Sequence, residues 1–430
     1  MFHADNLEAW LDRLESSHPK GQGGIELGLE RVGEVLRAMG LTSRLPFPVI
    51  TVGGTNGKGS SVAFLEAVLS AAGHRVGAYT SPHLLRYNER VRLNGVEAED
   101  ALLVHGFEHV EEARGDVPLT YFEFGTLAAL AVFVEARVDV AILEVGLGGR
   151  LDAVNIIDAD AALLTNVSLD HVEWLGEDRE AIGVEKAGIF RRGQIAVIAE
   201  REPPRSVLAQ AEGLLLRPLR RGVDFEARLT GDGWSWQGAG TAFRLPLPAL
   251  SGAHQIDNAA GALMVLTAMR ERLPWGDDDL RRGLLSARHP GRMQCMDVGA
   301  VRVCLDVAHN PAGVEVLART LAADPPAGRT LAVFAALADK DALAMARGLS
   351  DWVTAWYIAG LDGPRGRKAE ALSSILQAAD LPVAACLGTP RMAYTSALAD
   401  ARPGDRLIVF GSFLCVADVL AALRDSDIEA

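Results

Sequence analysis

Cysteine is scarce in this 430-residue chain, which has four in all: Cys295, Cys304, Cys386 and Cys415. None forms a CxxC pair, so neither a disulfide framework nor a zinc site is indicated, and buried or inert thiols in a reducing cytoplasm are expected. Positive charge is short as well. With 42 lysines and arginines against 56 acids, the formal charge is −14. That argues against general binding of nucleic acid or anionic membrane, which needs basic surface. An anionic substrate must then be met by locally clustered arginines. No apolar run approaches the ~18 residues of a membrane span. The start, Met1-Phe2-His3-Ala4-Asp5, lacks the basic region and apolar core of a signal peptide. No fixed-period repeat or low-complexity tail is visible. What remains is 49% apolar and 23% charged, the profile of a soluble globular protein. The chain is too long for one ordinary core, so two domains are expected, residues 1–289 and 290–430.

The most informative stretch is Val49-Ile50-Thr51-Val52-Gly53-Gly54-Thr55-Asn56-Gly57-Lys58-Gly59-Ser60-Ser61. β-branched residues run into a glycine-rich turn, then a lysine, hydroxyls and the helical pattern Val62 to Leu69. Such a turn aims backbone N–H groups at a phosphate, and the helix N-terminus adds its positive dipole end. Lys58 would reach the outer phosphates, and Ser60 or Ser61 could approach a magnesium ion. The usual P-loop glycine is missing at Val52, which leaves a shorter Gly-Thr-x-Gly-Lys-x-Ser loop. The plain alternative is a glycine-rich turn with no ligand.

Three further apolar segments end in polar clusters. Val76 to Thr80 leads to Ser81-Pro82-His83-Leu84, Val138 to Val145 carries Glu144, and Ala159 to Leu164 leads to Asp170-His171. In an open α/β sheet, ligands sit beyond the carboxyl ends of the strands. Ser81 as a mere turn residue remains the alternative. Lys186 lies among apolar residues and could simply snorkel from a helix. Residues 6–16, 25–40 and 120–134 read as helices, with a turn at Gly21–Gly24. Residues 205–250, around Trp234 and Trp236, read as a peripheral β-rich segment without chemistry. An alanine-rich helix from Ser251 to about Arg272 presents His254, Gln255 and Asn258. After the turn Arg288-His289-Pro290-Gly291-Arg292, strands near 301–306, 331–334, 355–358 and 407–410 alternate with helices.

These motifs, in this order over nearly the whole chain, resemble the folylpolyglutamate synthase/dihydrofolate synthase family of the Mur-ligase superfamily. The matching stretches include Thr80-Ser81-Pro82-His83-Leu84, Asn88-Glu89-Arg90, Glu144 to Ala153, Leu169-Asp170-His171, Glu185-Lys186-Ala187-Gly188-Ile189, Pro290-Gly291-Arg292 and Asp306 to Pro311. The resemblance implies an α/β fold, with an N-terminal P-loop-type parallel-sheet ATPase domain and a smaller C-terminal Rossmann-like α/β domain closing onto it. It implies a ligase that uses ATP and Mg2+, with two ions, to join L-glutamate to dihydropteroate and to tetrahydrofolate through an acyl phosphate. It further implies a cytoplasmic monomer with no nucleic-acid or membrane partner.

By the same resemblance, Asn56, Gly57, Lys58, Gly59 and Ser60 hold the ATP phosphates, and Asn258, Arg292 and Asp306 contact ATP, with His309 nearby. Ser81, Glu144 and His171 hold Mg2+. Lys186 is carbamylated to ligate a second ion, or else binds phosphate unmodified. The pterin is expected at Gly28-Leu29-Glu30, at Thr120-Tyr121-Phe122-Glu123 with Phe124, and at Leu151-Asp152-Ala153. Phe122 or Phe124 would offer the flat ring an aromatic face, although Tyr121 and Phe124 can equally be core residues. Arg86, Arg90 and Arg150 are candidates for anionic glutamate, or plain structural arginines. The Asn166-Val167-Ser168 run departs from the family's usual pattern and bears on substrate detail. A cell-wall ligase acting on a UDP-linked substrate is the runner-up, and a nucleotide-switch protein is the alternative of another class. The switch is disfavoured by the second α/β unit and the lack of an Asn-Lys-x-Asp motif.

Overall fold

The computed structural model describes residues 6–17 and 26–428, so the turn expected at Gly21–Gly24, and Ile25, lie outside the described residues. Two compact units emerge. The first comprises residues 1–249 with 254–288, and the second comprises 250–253 with 289–430.

The first unit is built on eight strands. They are β1 (Val49–Gly53), β2 (Val76–Tyr79), β3 (Val91–Leu93), β4 (Val96–Glu97), β5 (Val140–Glu144), β6 (Ala161–Leu164), β7 (Ile195–Ile198) and β8 (Leu219–Arg220). Their order is β4-β3-β2-β5-β1-β6-β7-β8, parallel from β2 to β8, with β3 and β4 antiparallel at one edge. The central strands β1, β2, β5 and β6 are buried at every position. Continuous apolar strands of this kind need helices on both faces. Helix Lys58–Ala71 follows β1. Helix Tyr121–Glu135 is apolar almost all round and buried along most of its length. Its start is set by a capping box in which Thr120 and Glu123 exchange hydrogen bonds.

The sheet order decides the site. β2, β5, β1 and β6 are neighbours and parallel, so their carboxyl ends line up on one edge. Ser81, Glu144, the glycine-rich loop and the 165–171 segment therefore come together, although Thr55 of the loop and Ser168 lie 113 residues apart along the chain.

The segment expected to be β-rich opens instead on helix Arg205–Gly213, where Val207 and Ala211 are buried. Its sheet comes later, as β9 (Phe225–Thr230), β10 (Gly233–Gly238) and β11 (Thr241–Pro246), antiparallel and closed over Trp234 and Trp236. Helix Ala253–Ala268 is shorter than expected.

The second unit has β12 (Gln294–Val298), β13 (Val301–Leu305), β14 (Thr330–Phe334), β15 (Ala355–Ala359), β16 (Val383–Leu387) and β17 (Arg406–Phe410). The order is β12-β13-β17-β14-β15-β16, with only the edge strand β12 antiparallel. Phe334 and Phe410 stack at 4.7 Å in its core, with Trp356 against both. Inert thiols throughout proved wrong. Cys295 and Cys304 face each other across β12 and β13 and form a disulfide. The pairing is nine residues apart and depends on strand register, which no cysteine-spacing rule reports. Cys386 is an exposed thiol and Cys415 a buried one. Among the described residues, no helix is long and apolar enough to cross a membrane.

Candidate active site

The loop after β1 turns through two glycines that no other residue replaces. Gly57 has φ 82°, and a Cβ there would fall 2.3 Å from Asn258 Oδ1. Gly54 has φ 139°, and a Cβ there would fall 1.9 Å from Thr165 Oγ1. The loop is stapled to the end of β6. Thr55 N–H donates to Asn166 O, Asn56 N–H to Asn166 Oδ1, and both Thr165 Oγ1 and Asn166 Nδ2 donate to Asn56 O. Thr165 is not singled out from the sequence, and Asn166 is marked there only as part of a run that departs from the family's pattern, not as a staple of the loop. The one signal was their position after a strand. Lys58 folds back over the turn, donating to Gly54 O at 3.2 Å and Thr55 O at 3.1 Å. Gly57, Lys58, Gly59 and Ser60 thus sit at the head of helix Lys58–Ala71, where backbone N–H groups and the dipole favour an anion. Asn258 is held against this turn, its Nδ2 donating to Gln255 Oε1.

Beside the loop, the Ser81 N–H donates to Glu144 Oε2 at 3.1 Å, and the Glu144 side chain is buried. His171 follows β6 with φ 50° and stands 4.0 Å from Asp170. Among the described residues, no three of His, Cys, Asp and Glu converge on a metal position. A buried carboxylate next to a serine beside a phosphate loop still suits Mg2+, which keeps several waters and takes one or two carboxylates plus substrate phosphates.

Lys186 is 4% exposed and donates to Gly54 O at 2.9 Å, the same carbonyl that Lys58 reaches. Burial, and then the Lys58 charge, push its ammonium down to about 7, against the opposing pull of Asp170 and Asp152. Asp152 is also buried. Its oxygens accept from Leu147 N–H and Val154 N–H, and burial raises it to about 7 in spite of those bonds and Lys58. A buried lysine and a buried acid therefore both titrate near neutrality within one charge field.

The segments expected to hold the pterin are tied together, since Gly28 N–H donates to Leu151 O. Leu29 precedes helix Glu30–Ala38, and Glu30 is exposed in its first turn. Ala153 is buried beside Asp152. Several of the expected residues have internal tasks instead. Thr120 is a buried cap. Glu123 caps it in return, and both its oxygens accept from Arg31 Nε. Phe124 is 3% exposed and packs on Trp10 and Phe107 in the core, so it offers no ligand face. Tyr121 is buried edge-on to Tyr87. Phe122 is the partly exposed ring, lying over Gly146 and 6.0 Å from Tyr79.

Of the three arginines considered for glutamate, Arg86 is exposed and meets Glu97 and Asp100. Arg150 is exposed and meets Glu185. Arg90 is buried.

In the second unit, Asp306 ends β13. Its oxygens accept from Met293 N–H and Ala308 N–H, both at 2.9 Å. The Arg292 guanidinium lies 5.2 Å from the centre of the Phe413 ring, and the His309 ring lies 5.7 Å from the same ring. His309 Nδ1 donates to Val307 O. Arg292, Asp306 and His309 thus gather around the carboxyl ends of β13 and β17. Phe413, which no motif marked, is the surface they share.

Two family models match the chain: "Mur ligase middle domain" over residues 52–266, and "Mur ligase, glutamate ligase domain" over residues 291–413. A dihydrofolate synthase/folylpolyglutamate synthase of Escherichia coli (strain K12) is 45% identical, covering 98% of this chain and 96% of its own. E. coli FolC in complex with DHPP and ADP superimposes with a TM-score of 0.92 at 44% identity, covering 99% of this chain and 100% of that one. A bifunctional folylpolyglutamate synthase/dihydrofolate synthase with Mn, AMPPNP and L-glutamate bound gives a TM-score of 0.89 at 45% identity, covering 98% of each chain.

Proposed function

This chain belongs to the Mur ligase family, in its dihydrofolate synthase/folylpolyglutamate synthase group, and on that premise we propose that it joins L-glutamate to dihydropteroate and to tetrahydrofolate at the expense of ATP. The observation that carries the reading is the pair of ammonium groups, Lys58 and Lys186, on the Gly54 carbonyl at the head of a helix. Neither has an ion-pair partner among the described residues. Phosphoryl transfer asks for fixed positive charge more than for covalent help, and Lys58 supplies it, while Lys186 places a buried amine beside it.

The chemistry runs in two steps. A substrate carboxylate oxygen attacks the γ-phosphorus, the bond to ADP breaks, and an acyl phosphate forms. The glutamate amine then attacks the acyl carbon, the C–O bond to phosphate breaks, and the amine gives up a proton as the amide forms. Lys58 and the loop N–H groups hold the negative charge that moves onto the departing ADP. Asn258, Arg292 and Asp306 are assigned to the nucleotide, and His309 to the same neighbourhood. Ser81, Glu144 and His171 would hold Mg2+, which when bound neutralises phosphate charge.

Lys186 suits carbamylation for a second ion. A neutral amine is needed to add CO2 with loss of a proton, and burial supplies it near pH 7. Gly28, Leu29, Phe122, Leu151, Asp152 and Ala153 are the residues retained for the pterin. The protein is proposed to act as a cytoplasmic monomer without nucleic-acid or membrane partners.

The test is glutamate-dependent phosphate release from ATP·Mg2+ with dihydropteroate, and separately with tetrahydrofolate. Turnover with both is expected. Turnover with dihydropteroate alone removes the second activity, and turnover only with a UDP-muramyl substrate overturns the assignment.

A further inference from the structure

Arg90 is 9% exposed and forms no ion pair among the described residues. A guanidinium this far from water costs several kcal/mol unless something compensates it. The compensation within the protein is partial. Nε donates to His83 Nδ1 at 2.8 Å, and the cation lies 5.5 Å from the ring centres of both Tyr87 and Tyr121. The neighbouring acid is otherwise engaged, since Glu89 accepts from the N–H groups of Leu84, Leu85 and Arg86 and so folds residues 84–89 into a closed turn. That turn brings His83 back onto Arg90. Because arginine can only donate, His83 Nδ1 must carry a lone pair, and the ring proton sits on Nε2.

The location says which anion Arg90 would meet. The Arg90 carbonyl accepts from Thr80 N–H, one residue before Ser81, and Ser81 is bonded to Glu144. On its other side Arg90 lies over Tyr121, next to Phe122. It therefore stands between the segment assigned to the pterin and the strand ends assigned to the metal. In a substrate that spans those two places, the group at this point is the carboxylate that must be activated.

We propose that His83 is a positioning residue which, through the Nδ1 lone pair, aims the Arg90 guanidinium at the reacting carboxylate of the pterin substrate. Arg90 Nε is spent on His83, which leaves the terminal N–H groups to meet the two carboxylate oxygens. The inference rests on the ligase reading above and deepens it.

The test compares His83→Leu with His83→Asn, whose Oδ1 branches from Cγ as Nδ1 does and can accept from Arg90. Two ligands are titrated calorimetrically against the full-length protein with Mg2+ and a non-hydrolysable ATP analogue: dihydropteroate, and the same pterin-aniline lacking its carboxylate. His83→Leu should weaken dihydropteroate binding about 10-fold and leave the decarboxylated analogue within about 2-fold, with most of the loss restored in His83→Asn. In turnover, the KM for dihydropteroate should rise while the KM values for ATP and glutamate stay put. Equal weakening of both ligands in His83→Leu would mean a merely structural histidine and overturn the proposal. So would a rise confined to the glutamate KM, or no restoration by asparagine. If wild-type protein shows no glutamate-dependent phosphate release while binding dihydropteroate, the ligase reading fails separately.

Discussion

In the first unit, Lys58 and Lys186 both end on the Gly54 carbonyl, and neither forms an ion pair among the described residues. In the second unit, Asp306 occupies a comparable strand end, yet both its oxygens are filled by the chain's own N–H groups. One cluster gathers two lysine side chains that form no ion pair among the described residues, and the ligand proposed for it is anionic. The other is closed on itself and serves as a fixed platform for Arg292 and His309. Residues assigned to one ligand can thus belong to different physical classes, and substitutions should separate them by readout.

The largest effect expected is on chemistry in the first cluster. Lys58→Ala should lower kcat for glutamate-dependent phosphate release by about 10^2- to 10^3-fold, the usual loss when one preorganised charge donor is removed. Melting temperature should barely move, because Lys58 bonds only to carbonyls of its own loop. A large loss of stability in this variant would break the contrast.

Next comes the second cluster, where the order reverses. Asp306→Ala orphans the Met293 and Ala308 N–H groups, at about 1–3 kcal/mol each. Calorimetry should register a destabilisation of about 2–6 kcal/mol. Unchanged melting would show that Asp306 is not the platform described.

The smallest effect concerns Lys186, and its sign is the informative part. Its pKa is lowered in the folded state, from 10.5 to about 7, so the unfolded chain binds more protons between those values. Its contribution to stability therefore grows as pH rises through that window, and it is lost as pH falls through about 7. Lys186→Met should accordingly raise the melting temperature at pH 6, with a gain that shrinks towards pH 9 in CO2-free buffer. A gain independent of pH would mean that the ammonium is not desolvated, and the two clusters would then differ less than the geometry indicates.

Much of the first cluster was legible because local chemistry dictates it. A β-branched run, a glycine turn and a lysine before an apolar helix have few other stable outcomes, and strand ends followed by Ser81, Glu144 and His171 are visible by periodicity. The pterin segment was read less well. Glu123 and Phe124 share a motif with Phe122, but side chains on a helix point different ways. The cap with Thr120 and the core around Trp10 claim two of the three. Partners decided that outcome, and Arg31 lies 92 residues from Glu123. The 205–213 helix was missed inside a stretch dominated by later strand signals.

From sequence alone came the two α/β units, the strand, glycine-rich turn and helix of residues 49–69, and the central strands of both sheets, all set by periodicity and turn chemistry. Tertiary structure decided the strand order that lines up four distant clusters and the register that pairs Cys295 with Cys304. It also decided the burial that moves Lys186 and Asp152 to about 7, and the turn that returns His83 to Arg90. The physical reason is that neither register nor desolvation belongs to a residue. Each arises only when segments far apart in the chain exclude water from one another.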